Sequence, residues 1–103
     1  MIKIGITGAS GVLGTSLIYF LKKKSKFKIK KYNYDILNVK KIDYWIKYNQ
    51  FQVIIHLAAL VPVRTVEKKY KLSKKINIEG TKNLVNAIRK YQKIKPFLFF
   101  SST

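Results

Sequence analysis

The segment Thr7-Gly8-Ala9-Ser10-Gly11-Val12-Leu13-Gly14 is the first stretch of this chain whose residue types and spacing could do chemistry. Gly8 permits a tight turn, Gly11 lets backbone N–H groups close on an anion at the positive end of a following helix, and Gly14 lets that helix lie close on a sheet. A pyrophosphate lying over residues 8–13 would meet the backbone of Gly8, Ser10, Gly11, Val12 and Leu13 with no long side chain in the way. Taken alone, such a motif is equally an ordinary glycine-rich turn; its place near the N-terminus, straight after an apolar run, favours the anion site. Asp35 lies 21 residues beyond Gly14, near where an acid often binds a ribose. The single histidine, His56, ends a Val-Ile-Ile run, and the chain has no cysteine. Neither a disulfide framework nor a zinc cluster is expected, so no metal site is assigned.

The elements that must position these residues alternate. Residues 2–7 form a short apolar run, and from Gly11 to Lys24 the residues Leu13, Leu17, Phe20 and Leu21 recur at helical spacing. Residues 27–32 read as a second, lysine-interrupted strand. Asn38 can cap a helix through Ile42, Trp45 and Ile46 to about Asn49. Residues 52–57 suit a parallel strand covered on both faces. Pro62 lies in the next loop, a long helix is expected from about Ser73 to Tyr91, and Pro96 introduces a last strand, 97–103. Strands and helices alternating at this length imply a parallel sheet with right-handed crossovers.

With these pieces in order, the chain resembles the NAD-dependent epimerase/dehydratase family, the extended short-chain dehydrogenases/reductases. The matching pieces are the TGxxGxxG turn, Asp35-Ile36-Leu37-Asn38, His56-Leu57-Ala58-Ala59, the Asn77-to-Leu84 segment NIEGTKNL and Phe100-Ser101-Ser102-Thr103. The resemblance spans the whole chain. It implies a Rossmann-type α/β fold, a parallel sheet with flanking helices, represented by its N-terminal half. It also implies that Asp35 and Ile36 contact adenine, that Leu57, Ala58 and Ala59 let a cofactor lie against backbone, and that Asn77 braces neighbouring strands beside the cofactor. Thr103, with Ser102 as runner-up, would be the hydroxyl that orients substrate. His56 is either a cofactor contact or a histidine satisfied at a strand end, since a neutral imidazole there needs only one partner. Gly80 would serve close packing of helix on sheet.

The family's proton transfer resembles a tyrosine whose pKa a nearby lysine lowers, while hydride passes to or from nicotinamide. That Tyr-x-x-x-Lys pair should follow Thr103, so residues 1–103 are expected to be an NAD(P)-binding domain that ends before the pair and before a substrate domain. Matches at Tyr19/Lys23, Tyr70/Lys74 and Tyr91/Lys95 are attributed to chance in a lysine-rich chain, and Tyr70 precedes the Asn77 helix. The cofactor is NAD or NADP. If Asp35 contacts adenine, the second strand ends in Lys30, Lys31, Tyr32 and Asn33 with no acid to repel a 2′-phosphate, which tilts the balance to NADP.

The formal charge of +18 is carried mostly by lysine dispersed through every segment. This composition predicts salt-dependent sticking to polyanions but no specific nucleic-acid partner. No apolar run approaches the roughly 20 residues of a membrane span. A cytoplasmic location is expected. The implied function is the cofactor-binding part of a nucleotide-sugar epimerase, dehydratase or reductase, inactive by itself, with a nucleotide-sugar partner and room for a homodimer at full length. A non-catalytic NAD(P)-binding regulatory module is the alternative.

Overall fold

The computed structural model describes residues 1–57 and 67–101, with the side chains of residues 67–70, 73 and 101 set aside. Its elements are β1 (Ile2–Thr7), α1 (Val12–Lys22), β2 (Phe27–Lys31), α2 (Val39–Asn49), β3 (Val53–Leu57), α3 (Glu67–Tyr91) and β4 (Phe97–Ser101). The four strands form one parallel sheet in the order β2-β1-β3-β4. This is the expected Rossmann-type arrangement.

Right-handed crossovers decide which face each helix covers. The chain moves from β1 to β2 in one direction, then from β2 past β1 to β3 and on to β4 in the other. Consequently α1 lies on one face, and α2 and α3 pack together on the opposite one. Ile18 of α1 meets Ile4 and Ile6, with Ile29, Val53 and Ile55 around them. On the other face Ile42, Trp45 and Ile46 of α2 and Leu84 and Ala87 of α3 enclose Phe51 and Ile54. Gly5 is where that second layer comes closest to the sheet. A Cβ there would lie 2.8 Å from the Phe51 ring and 2.9 Å from Trp45, so hydrogen is the only side chain that fits.

Helix α2 is bounded by side-chain chemistry. Asn38 Oδ1 accepts from Lys41 N at 3.2 Å, as its cap position predicts. At the other end Gln50 adopts a left-handed φ of 53°. Its Nε2 donates to Lys47 O at 3.0 Å and to Tyr91 O at 2.7 Å, tying the end of α2 to the end of α3.

The start of one helix differs clearly from the sequence expectation. α3 starts at Glu67 rather than near Ser73. Residues 67–72 contain neither glycine nor proline, so nothing in them stops the helix, and Ser73 is an interior position. In β4, Leu98 points into the core, whereas Phe97, Phe99 and Phe100 are 74, 56 and 57% exposed. Among the described residues no helix is long and apolar enough to cross a membrane.

Candidate functional site

The strand order reverses between β1 and β3, and at open parallel sheets such a switch point leaves a crevice beyond the carboxyl ends of the strands. A groove of about 850 Å3 occupies this place. Its floor is the run Thr7 to Gly14, one wall is the end of β2 and the loop after it, and the other is His56, Leu57, Ile76 and Asn77.

The three glycines of the floor are required for different reasons. Gly8 has φ +69°, and a Cβ on it would lie 2.1 Å from Leu57 O, so both conformation and space exclude any other residue. A Cβ on Gly14 would lie 2.7 Å from the Ala9 backbone. The close approach expected of Gly14 is therefore between α1 and its own entry turn rather than between helix and sheet. Gly11 is unlike both. It is the N-cap of α1 with φ −75°, no side chain caps the helix there, and a Cβ would find only Gly8 O at 4.0 Å. The protein leaves the space above Gly11 open at the positive end of a helix that has no acid in its first turn.

The β2 wall is held by a short chain of bonds. Tyr32 Oη donates to Asp35 O at 2.7 Å, and Asp35 Oδ1 accepts from Leu37 N at 2.9 Å. Burial first, then Asp35 and Tyr34, push the Tyr32 phenol up to about 12, so it stays a donor and is unsuited to act as a base. Ile36 then inserts against α3 where Gly80 has no side chain. A Cβ on Gly80 would lie 2.6 Å from Ile36, and Asn83 Nδ2 donates to Ile36 O at 3.2 Å. Gly80 thus accommodates a loop, not the sheet as expected.

His56 is 6% exposed and joins three elements. Nδ1 is hydrogen-bonded to Thr7 Oγ1 of β1, and Nε2 lies 2.9 Å from Thr81 Oγ1 of α3. Thr81 has one hydroxyl hydrogen and donates it to Asn77 O at 2.8 Å. It must therefore accept from His56, which fixes the Nε2–H tautomer and leaves Nδ1 to accept from Thr7. Burial holds this imidazole below its ordinary pKa, in keeping with a neutral ring. The ring thus has two partners where a neutral imidazole at a strand end needs one, and it also lines the groove.

Gly8, Ser10, Gly11, Val12, Leu13, Gly14, Ile36, Leu57 and Asn77 all line this one groove. Asp35 is not among the residues lining it, although its neighbours Tyr34 and Ile36 are, and one of its carboxylate oxygens is engaged by Leu37 N. Ala58, Ala59, Ser102 and Thr103 lie outside the described residues. Lys31, Tyr32 and Asn33, the acid-free end of the second strand, also line the groove, as does Tyr34, to which the sequence assigns no role. Their signal was positional, since the residues following a second strand reach the same sheet end as the first turn. Tyr19 is 67% exposed on α1 under Lys23 Nζ, and Tyr91 packs on the α2–α3 core; neither is a groove residue.

Known proteins share this architecture. No curated relative matches the chain. The UDP-Glc/GlcNAc 4-epimerase of Campylobacter jejuni superposes with a TM-score of 0.84 at 18% identity, covering 99% of this chain and 37% of that one, a likeness of fold alone. The dTDP-4-dehydrorhamnose reductase of Clostridium acetobutylicum is 34% identical with a TM-score of 0.74, covering 88% of this chain and 33% of that one. That of Bacillus anthracis, solved in complex with NADP, is 30% identical with a TM-score of 0.74, covering 85% and 32%. The chain spans about a third of the length of these structures. The model of the RmlD substrate binding domain matches residues 2–103, and with its motifs and sheet order the chain belongs to that family of epimerase- and reductase-type proteins.

Proposed function

We propose that this chain is the NAD(P)-binding part of a nucleotide-sugar reductase, epimerase or dehydratase. The observation that carries the reading is the contrast among the glycines. Gly8 and Gly14 are closed by the protein's own atoms, whereas Gly11 keeps an open, uncapped helix start at the switch point. Backbone amides there suit a pyrophosphate, and among the described residues no carboxylate lines the groove to oppose it.

In this reading the backbone of Gly8 to Gly14 binds the two phosphates. Asp35 and Ile36 face the adenine, and Leu57, Ala58 and Ala59 flank the nicotinamide half, with Asn77 bracing the wall behind. Thr103, or Ser102, orients a substrate oxygen. The nicotinamide, when bound, exchanges hydride with a sugar carbon. Membership of the family and the NADP complex of the Bacillus anthracis relative support the cofactor class. The reductase and epimerase names of the relatives support the substrate class. Because the chain spans about a third of those structures, we assign the tyrosine–lysine pair and the sugar-binding half to the remainder of a longer protein, and expect no turnover from residues 1–103.

The deciding experiment is titration of the purified chain with NADPH and NADH, followed by the fluorescence of the reduced nicotinamide. Saturable binding in the micromolar to low millimolar range is expected. No saturation by either dinucleotide would overturn the reading.

A further inference from the structure

We infer that the outer face of α1, with the lysine turn that follows it, is a docking surface for an anionic lipid bilayer. A quarter of this chain is charged, yet Val12 to Leu21 contains no charge at all. Only one face of α1 needs to be apolar. Gly14 and Ile18 are buried on the sheet side, and Leu17 and Leu21 pack beside them. Tyr19 and Phe20 turn away from the sheet, and Phe20 is 58% exposed. A helix whose outer side faces only water carries charged or polar residues there.

Charge gathers instead at the end of the same helix. Lys22, Lys23 and Lys24 close it, Lys24 O accepts from Phe27 N at 3.3 Å, and Lys26 O accepts from Ile2 N at 2.8 Å. The turn is thereby tied beside Met1, which is 86% exposed. All of this corner lies within residues 1–34, which hold eight lysines and no acid. Two of the lysines stand over the exposed rings: Lys23 Nζ is 4.4 Å from the Tyr19 centroid and Lys24 Nζ 5.2 Å from that of Phe20. Attraction to the negative end of a helix explains lysines in its last turn, and blunting of an edge strand explains Lys28 and Lys30. Neither explains uncovered rings beneath those lysines.

A bilayer surface takes the two together. The rings and Met1 enter the boundary between headgroups and acyl chains, while the ammoniums stay level with the lipid phosphates, and no spanning helix is required. A single-stranded nucleic acid also binds rings and cations, but it stacks bases on open ring faces. Here a lysine lies over a face of each ring, and Met1 has no ring to offer. Tyr19 is eight residues beyond Gly11, about 12 Å along the helix, so a bilayer met at the lysine end leaves the groove open.

The test is sedimentation of the whole chain with vesicles of phosphatidylcholine alone and of an equal mixture with phosphatidylglycerol, alongside binding to poly(U) RNA. Each lysine at an anionic surface contributes roughly fivefold in affinity. The chain should therefore bind the mixed vesicles at least tenfold more tightly than phosphatidylcholine, and Lys23→Gln with Lys24→Gln should remove about tenfold or more of that affinity. Tyr19→Ser with Phe20→Ser should also weaken vesicle binding about tenfold, by loss of buried apolar area, while leaving poly(U) binding unchanged. Phe20→Trp supplies a check that does not depend on truncating the rings: its indole should be quenched by lipids brominated in their acyl chains, whereas the buried Trp45 of the parent should not. Equal binding to the two kinds of vesicle, or no quenching in Phe20→Trp, would overturn the inference. So would vesicle binding that survives Tyr19→Ser with Phe20→Ser, or a loss of poly(U) binding as large as the loss of vesicle binding, which would assign the surface to nucleic acid. None of these outcomes bears on the dinucleotide reading.

Discussion

Replacing Gly11 by alanine separates a site glycine from a structural one. In the folded chain the new methyl group meets nothing nearer than Gly8 O at 4.0 Å, and φ −75° with ψ 174° is comfortable for alanine. Alanine is a poorer N-cap than glycine by about 0.5–1 kcal/mol. The less flexible unfolded chain returns about 0.4–1 kcal/mol. These effects nearly cancel, so stability should move by less than about 1 kcal/mol, a few degrees in Tm for a domain this size. Binding should respond differently, because the methyl projects into the space that a phosphate must enter to reach the helix amides. Losing one or two hydrogen bonds to a charged ligand costs about 1.5–3 kcal/mol each. Kd for NADPH or NADH should therefore rise at least tenfold, and a hundredfold or more if both bonds go. Fluorescence titration and thermal melts on the same preparations measure the two quantities. A variant that binds like the parent, or that loses binding only in proportion to a collapse in Tm, would refute the assignment of Gly11 to the anion.

Other perturbations have equally definite outcomes. Gly14→Ala, which drives a Cβ to 2.7 Å from the Ala9 backbone, should destabilise the fold by about 1–3 kcal/mol, read as a lowered urea midpoint. Thr81→Val keeps the shape of the side chain but strips His56 Nε2–H of its acceptor, at a cost of about 1–3 kcal/mol in chemical denaturation. Stability should also depend on pH through His56. Its folded pKa is depressed, so its contribution is fully present above the ordinary value of 6.5 and is lost as pH falls from there through the folded value. Melts between pH 8 and 5 should show that decline in the parent and a flatter profile in His56→Gln.

Much of this architecture could be read from local pattern because local physics decides it. Asn38 caps α2 as its type and position predict, and the glycine turn sits where an apolar strand meets a helical repeat. What stayed hidden depends on partners far along the chain. Nothing near Gly80 in sequence reveals that Ile36 will fill its missing side chain, and nothing near His56 reveals Thr7 and Thr81. The first turns of α3 are hard to read because residues 67–72 are mostly charged and carry no apolar helical repeat. Tyr34 matches no motif, and the sequence uses Lys31 only as part of an acid-free strand end. Only the register that sets Lys31 beside Ile6 brings the end of β2 to the rim of the phosphate turn.

The order β2-β1-β3-β4 also constrains how the molecule comes together in time. β1 meets its first neighbour 25 residues later, but its contacts with β3 lie 49 residues away. Closing the longer loop costs only about 0.6 kcal/mol more, so the delay is one of sequence more than of entropy. During synthesis the β1–α1–β2 unit can close while one edge of β1 is still bare, and its apolar face toward Trp45 and Phe51 is still empty. β1, one of the two inner strands, is the earliest made and keeps an open edge until β3 arrives. A nascent chain paused before residue 53 would therefore expose an open sheet edge beside uncovered apolar surface, the combination by which a slow translator or a scarce chaperone turns an intermediate into an aggregate.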